Sequence, residues 1–197
     1  MLSKLFNLLK NNLRLVIIVA AAIVVGVGIS AAYGTFVQWT NKTEFCISCH
    51  EMESTVYQEY QQSKHFKNEH GVVVGCPDCH VPQNSWVLML GHKILAYKDF
   101  FGHVSGVVDT KDKFDAKRLE LAKEVWEGFK ETNARECKRC HKFTNMDLEQ
   151  QKPRARGQHS EAMKTDQNCL DCHKGLTHKP VHKQLEAAPA PTNFDVQ

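Results

Sequence analysis

The sequence predicts an all-α protein: a single N-terminal transmembrane helix followed by a loop-rich domain built of two similar modules. Three observations carry this prediction. One apolar run near the N-terminus is long enough to cross a bilayer. The cysteines fall in evenly spaced pairs that recur as a unit. The segment between the two halves has helical periodicity. A 197-residue chain has room for one domain plus an appendage. A net charge of +3 argues against nucleic acid or a strongly acidic substrate as partner.

The anchor comes first. Leu15 to Val37 is 23 residues long and mostly apolar, and no charge falls between Leu15 and Asn41. A membrane-spanning helix needs roughly 20 such residues. Lys4, Lys10 and Arg14 precede the run with no acidic residue. By the positive-inside rule the N-terminus is cytoplasmic and everything after about Thr40 lies on the far side. Tyr33, Phe36 and Trp39 fall where an aromatic belt meets the outer interface. The competing reading is a cleaved signal peptide, with Ser30-Ala31-Ala32 as a small-residue site. The run exceeds the roughly 7–15 apolar residues of a signal sequence, which favours the uncleaved anchor.

All 8 cysteines lie in four pairs: Cys46/Cys49, Cys76/Cys79, Cys137/Cys140 and Cys169/Cys172. A histidine follows each pair: His50, His80, His141 and His173. Disulfide frameworks, structural zinc sites and thioredoxin-like redox pairs also use closely spaced cysteines. None of them needs a histidine each time. Cys-x-x-Cys-His is the attachment site of c-type haem. Two thiols at this spacing can each form a thioether to one porphyrin vinyl group. The adjacent histidine is then carried under the ring, where it can ligate iron. Four such motifs predict four covalently bound c-type haems, hence a multihaem cytochrome c domain.

The motifs form a repeat. His65 follows His50 by 15 residues and precedes Cys76 by 11; His159 follows His141 by 18 and precedes Cys169 by 10. The unit is therefore motif, middle histidine, motif, used twice, which reads as two dihaem modules. Haem iron takes two axial ligands. His65 and His159 hold matching places and are expected as distal ligands, with His178 the next candidate. His70, His103 and His182 are expected to be solvated or second to the ligands. Met52, two residues after His50, is close enough to reach the first haem.

Two helices are expected in the link. Asp112 to Lys130 has an amphipathic stripe through Phe114, Leu121, Val125 and Phe129. Asn84 to Phe101 is apolar nearly all round, capped by Asn84 or Ser85, and suits a buried or interfacial site. On one continuous helix His92 and Asp99 would differ by about 20° and share a face, with Lys93 about 120° away.

The motifs TEFCISCHEM, TVYQEY, CPDCHVP, AYKDFFG, ECKRCH and CLDCHKGLTHK resemble the NapC/NirT/NrfH family of membrane-anchored tetrahaem quinol dehydrogenases, most of all its NapC branch. The resemblance covers the chain up to about Lys183. It implies oxidation of membrane quinol (menaquinol or ubiquinol) and electron delivery to a periplasmic reductase. For the NapC branch that acceptor is the periplasmic nitrate reductase or its dihaem subunit. It implies His65, His159 and His178 as distal ligands. Met52 matches a methionine that ligates the first haem in a structurally known member, leaving Met52 and His50 as alternatives. Asp99 matches an acidic residue beside that haem, and the family is basic where this chain has His92 and Lys93. The implied quinol site is thus Lys93, Asp99 and His92.

The resulting organisation is a cytoplasmic stub and anchor over residues 1–41, a tetrahaem domain over 42–183, and a disordered tail over 184–197. The dihaem halves span about 42–83 and 132–183, and the helical link spans 84–131. The expected location is a bacterial inner membrane, crossed once, with the haem domain periplasmic. The alternatives are electron delivery to another acceptor such as nitrite reductase, or terminal reduction of a small molecule by the chain itself. Terminal reduction needs an open haem, often with lysine replacing the motif histidine, and no such motif occurs.

Overall fold

The computed structural model describes residues 12–186. The expected cytoplasmic stub and most of the expected tail lie outside the described residues. Among the described residues the regular structure is helical, with no strand. The chain divides into two compact units, residues 1–45 and 46–197.

In the first unit, α1 (Leu13–Trp39) is 27 residues long. At about 1.5 Å per residue it reaches some 40 Å, longer than the roughly 30 Å hydrocarbon core of a bilayer. It is the one described helix long and apolar enough to cross a membrane. Its hydroxyls do not interrupt it: Ser30 donates to the Gly26 carbonyl at 2.8 Å and Thr35 to Ala31 at 2.9 Å. Each polar group is thereby satisfied inside the helix, as hydrocarbon requires. At the far end the Phe36 and Trp39 rings lie 6.1 Å apart, and Phe45 meets Trp39 edge-on at 4.9 Å. A short helix, α2 (Thr43–Cys46), follows.

The second unit is organised around its motifs. After Cys49, α3 (His50–Met52), a π-helical turn (Glu53–Tyr57) and α4 (Gln58–Tyr60) run on from one another. Such a mid-helix π turn often marks a functional site. The loop beyond is pinned where the Tyr60 hydroxyl donates to the Val74 carbonyl at 2.7 Å. The second motif forms α5 (Cys76–His80). Pro77 sits in its first turn, and the Gly75 N–H donates to Asp78 at 2.9 Å, a paired cap.

The link differs from the sequence expectation in one respect. Asn84 to Phe101 is not one helix but two, α6 (Trp86–Leu95) and α7 (Tyr97–Val104), meeting at Ala96. Ser85 is the cap, accepting from the Leu88 N–H at 3.4 Å. The amphipathic helix is α8 (Lys111–Glu131), capped by Thr110, which accepts from the Lys113 N–H. It buries Phe114 and Arg118. The Arg118 guanidinium donates to Glu59 and to Asp115, each at 2.9 Å, and stacks over the Phe114 ring. Glu59 also accepts the Lys179 N–H at 2.9 Å, so one buried cluster ties α4, α8 and the C-terminal loop.

The second half carries α9 (Arg135–Lys138), α10 (Pro153–Thr165) and α11 (Lys183–Glu186). Asn133 and Asp166, both left-handed, are joined side chain to side chain at 2.7 Å. Lys138 adds a 2.6 Å ion pair to Asp166. Asn168 donates to the Phe129 carbonyl at 3.0 Å. These bonds hold the third and fourth motifs against the end of α8. In the second unit the buried apolar side chains among the described residues are Tyr60, Pro77, Met89, Phe114, Ala134 and Val181. A domain of this length ordinarily buries far more. Imidazoles and thiols stand between the helices instead, the arrangement expected of a core built around prosthetic groups.

Candidate haem centres

Each motif places its two cysteines within a turn of helix or tight loop. The second lies on α5; the third begins on α9; the fourth on the 3-10 turn Cys169–Asp171. The His141 N–H donates to Cys137 O at 2.8 Å, and His173 N–H to Cys169 O at 2.9 Å. These helical bonds carry the histidine round to the side of the first cysteine.

All eight cysteines are free of one another as disulfides. The eight thiols differ in exposure. Cys140 is exposed, and so is Cys172, whereas the other six are half-buried. The reason is local. Helix α9 ends at Lys138 and the 3-10 turn ends at Asp171, so the second thiol of the third and fourth motifs falls just beyond its helical turn, on the outer side. Both keep a turn bond to the first cysteine of the pair, Cys140 N–H to Cys137 O at 3.2 Å and Cys172 N–H to Cys169 O at 3.4 Å. Exposure does not oppose thioether formation, since the vinyl group must reach the sulfur.

Several of the half-buried thiols are held protonated. Burial, then the neighbouring Cys169, pushes the Cys137 thiol up to about 11. A hydrogen bond to Cys76, then burial, raises Cys46. Burial raises Cys79 and Cys49 as well. Catalytic thiols sit in electropositive pockets that lower the pKa, the opposite of what surrounds these. Among the described residues the group with metal-ligand spacing is Cys49, Glu51 and His103, not two cysteine pairs round one point.

The histidines come together in facing pairs. His65 meets His141 with ring centroids 6.2 Å apart, His80 meets His178 at 6.2 Å, and His159 meets His173 at 5.9 Å. Two imidazoles bound to opposite faces of one metal ion, each at about 2 Å, put their centroids about 6 Å apart. The three pairs therefore fit a bis-histidine haem. Desolvation favours the neutral, ligand-competent imidazole. His80 is exposed, and crowding by the surrounding chain, then His178 and His92, lowers its pKa. Burial lowers His178 and His65 as well.

Two of the outer nitrogens are held: His159 Nδ1 lies 2.6 Å from Gln151 Oε1 and His65 Nδ1 3.5 Å from the Thr177 hydroxyl. His178 Nδ1 is buried without a hydrogen-bond partner, 4.0 Å from Glu59. Such outer partners orient a metal-bound imidazole. The tight turn that returns His178 depends on Gly175, at φ +75°. A Cβ there would lie 2.7 Å from Pro180 Cβ.

Neighbouring motifs also touch. Cys46 bonds to Cys76, linking the first and second. Arg139 donates to Asp78 at 2.8 Å, linking the second and third. Cys137 and Cys169 are close enough for their charges to interact, which brings the third and fourth together. Two of the histidine pairs, His65–His141 and His80–His178, join the halves of the chain to each other.

The fourth facing pair is one the sequence did not single out. His50 and His103 have centroids 5.6 Å apart, and His103 Nδ1 lies 2.7 Å from the buried Glu51 carboxylate. Counting could have found it, since four irons need four second ligands and only three histidines were matched. Met52, half-buried, ends α3 two residues after His50. His70 is exposed beside Glu69, and His182 packs near Trp126 at 6.4 Å.

The residues expected at the quinol site gather on α6 and α7. Despite the break at Ala96, His92 and Asp99 remain electrostatic neighbours. Burial raises the Asp99 carboxyl, opposed by Lys98 and His92, while burial lowers His92 and Lys93. Lys93 is close enough to Cys46 for their charges to interact. Around them Trp86, Val87, Leu88, Ile94, Leu95, Tyr97, Phe100, Phe101 and Val104 are exposed.

The family described as NapC/NirT cytochrome c family, N-terminal region, matches residues 9–183. The cytochrome c-type protein NapC of Escherichia coli (strain K12) is 44% identical over 162 residues, 82% of this chain and 80% of NapC. The denitrification system component NirT of Stutzerimonas stutzeri is 42% identical over 161 residues, 82% of this chain and 80% of NirT. A putative tetraheme cytochrome-c type protein of Allochromatium vinosum is 44% identical over 142 residues, 72% of this chain and 76% of that protein. No solved structure gives a significant match. With four Cys-x-x-Cys-His sites and facing histidines spaced for iron, the chain belongs to the NapC/NirT cytochrome c family and binds c-type haems covalently.

Proposed function

We propose that this protein oxidises membrane quinol and relays the electrons to a periplasmic reductase, the nitrate reductase or its dihaem subunit foremost. The observation that carries this reading is the chain of touching motifs. It runs from the first, beside Lys93, to the fourth, and three facing histidine pairs accompany it. Each haem, when attached, supplies an iron that takes up and releases one electron. The protein holds these groups by Cys46/Cys49, Cys76/Cys79, Cys137/Cys140 and Cys169/Cys172. His80, His141 and His173 are the motif-side ligands, and His178, His65 and His159 are their respective distal ligands. His50 or Met52 serves the first.

The exposed apolar side chains of α6 and α7 form an interfacial surface on which quinol meets the protein. The haem domain is periplasmic and the anchor's N-terminus cytoplasmic, with residues 42–183 as the tetrahaem domain. Lys93 binds the quinol oxygen by charge-assisted hydrogen bonding. Asp99, backed by His92, accepts a proton as electrons leave. Reconstitution of the full chain in liposomes with menaquinol tests this reading. Haem reduction by quinol, then oxidation by added nitrate reductase, is expected. Lys93→Ala and Asp99→Asn should slow haem reduction at least tenfold while all four haems stay attached. Wild-type rates in both variants would remove this site, and transfer to nitrite reductase alone would reassign the acceptor.

A further inference from the structure

We propose that His103 is the distal axial ligand of the first haem, clamped by Glu51, so that all four centres are closed bis-histidine sites. This deepens the reading above and rests on the first motif holding a haem. Three independent features of His103 match the ligand histidines already described. Its ring faces the motif histidine, His50, at 5.6 Å, against 5.9–6.2 Å for the other three pairs. Its Nδ1 is engaged at 2.7 Å by a carboxylate that is 3% exposed, which leaves Nε2 as the donor atom. Carboxylate, imidazole and metal in series is the usual support of a metal-bound histidine. The group also stands beside the porphyrin attachment point: donor atoms of Cys49, Glu51 and His103 lie within 4.8 Å of one another.

One Glu51 oxygen holds His103, and the other, buried without a hydrogen-bond partner, lies 3.9 Å from His50 Nδ1. A carboxylate taken this far out of water is strongly disfavoured unpaired, which favours its bond to His103. Met52 then has no place in the iron's coordination, and the choice between His50 and Met52 falls to His50.

Electron paramagnetic resonance and near-infrared magnetic circular dichroism on the full-length, detergent-solubilised protein test this. The wild type should show four low-spin haems, all with bis-imidazole signatures. His103→Ala should turn one haem in four high-spin, and added imidazole should restore it. His103→Met, which keeps a ligand, should replace one bis-imidazole signature by a histidine–methionine one. A high-spin or methionine-ligated haem in the wild type overturns the proposal without any variant, as does a His103→Met spectrum identical to wild type. Haem content by pyridine haemochrome separates the two levels: fewer than four haems per wild-type chain would fault the motif reading itself.

Discussion

His65 and His159 occupy matching positions in the repeat, yet they face different partners. His159 turns to His173 of its own half, while His65 crosses to His141 of the other. Spacing along the chain marks both as candidate ligands; it could not reveal the partners, because those depend on how the halves pack. The pairing has a direct test. If His65 and His141 bind one iron, His65→Ala and the His65→Ala/His141→Ala double variant should perturb the same single haem in the resonance spectrum. Two perturbed haems in the double variant would separate them. The titrating residues give a second prediction. Burial keeps His92 below its ordinary 6.5, so it is neutral at pH 7 and loses its capacity to accept a proton only on acidification, while burial raises the Asp99 carboxyl. Quinol oxidation should be flat around neutrality and fall on the acid side of about 6.5, and Asp99→Asn should alter the acid limb. An acid limb unchanged in that variant would place the proton acceptor elsewhere.

At the scale of elements, what the chain says locally was legible and what it says collectively was not. Ser85 announces the start of α6, and the apolar stripe of α8 turns Phe114 inward, while Val125 on the same stripe stays exposed. The break at Ala96 carries no such sign, since neither glycine nor proline marks it. Residues following it satisfy themselves locally, the Asp99 N–H donating to the Ala96 carbonyl at 3.1 Å. The exposure of Cys140 was equally hidden, because the motif repeats identically while the helix beneath it stops at a different point in each copy. His103 was passed over for a related reason: its meaning comes from Glu51, 52 positions away in sequence. The turn after the fourth motif is the most sharply constrained element. Gly175→Ala should cost about 1–2 kcal/mol from the left-handed backbone alone, and more from the Pro180 contact. Because the same turn carries His178, that variant should also show partial high-spin character at one haem. A variant with lowered stability but an unaltered spectrum would uncouple the turn from the ligand.

For the molecule as a whole, two units divide the work. The first holds a 27-residue apolar helix with one charge near its start, Arg14. The second has few buried apolar groups and draws its cohesion from motif contacts and the Glu59–Arg118 cluster. The proposed topology predicts that alkaline phosphatase fused after Lys183 is active in whole cells while β-galactosidase at the same point is not. The reverse pattern would invert the orientation. The interlocked pairs also predict that the haem unit loses its structure in one cooperative step rather than half by half, as followed by calorimetry.

The crossed pairing sets an order of events during biogenesis. The chain emerges from its N-terminus, so under the proposed topology His80 is exported nearly a hundred residues before His178, the ring that faces it. The third motif meets the opposite situation: His65 is already waiting when His141 arrives. The second centre is thus the last to close, and premature termination anywhere before His178 leaves it open to small diffusible ligands.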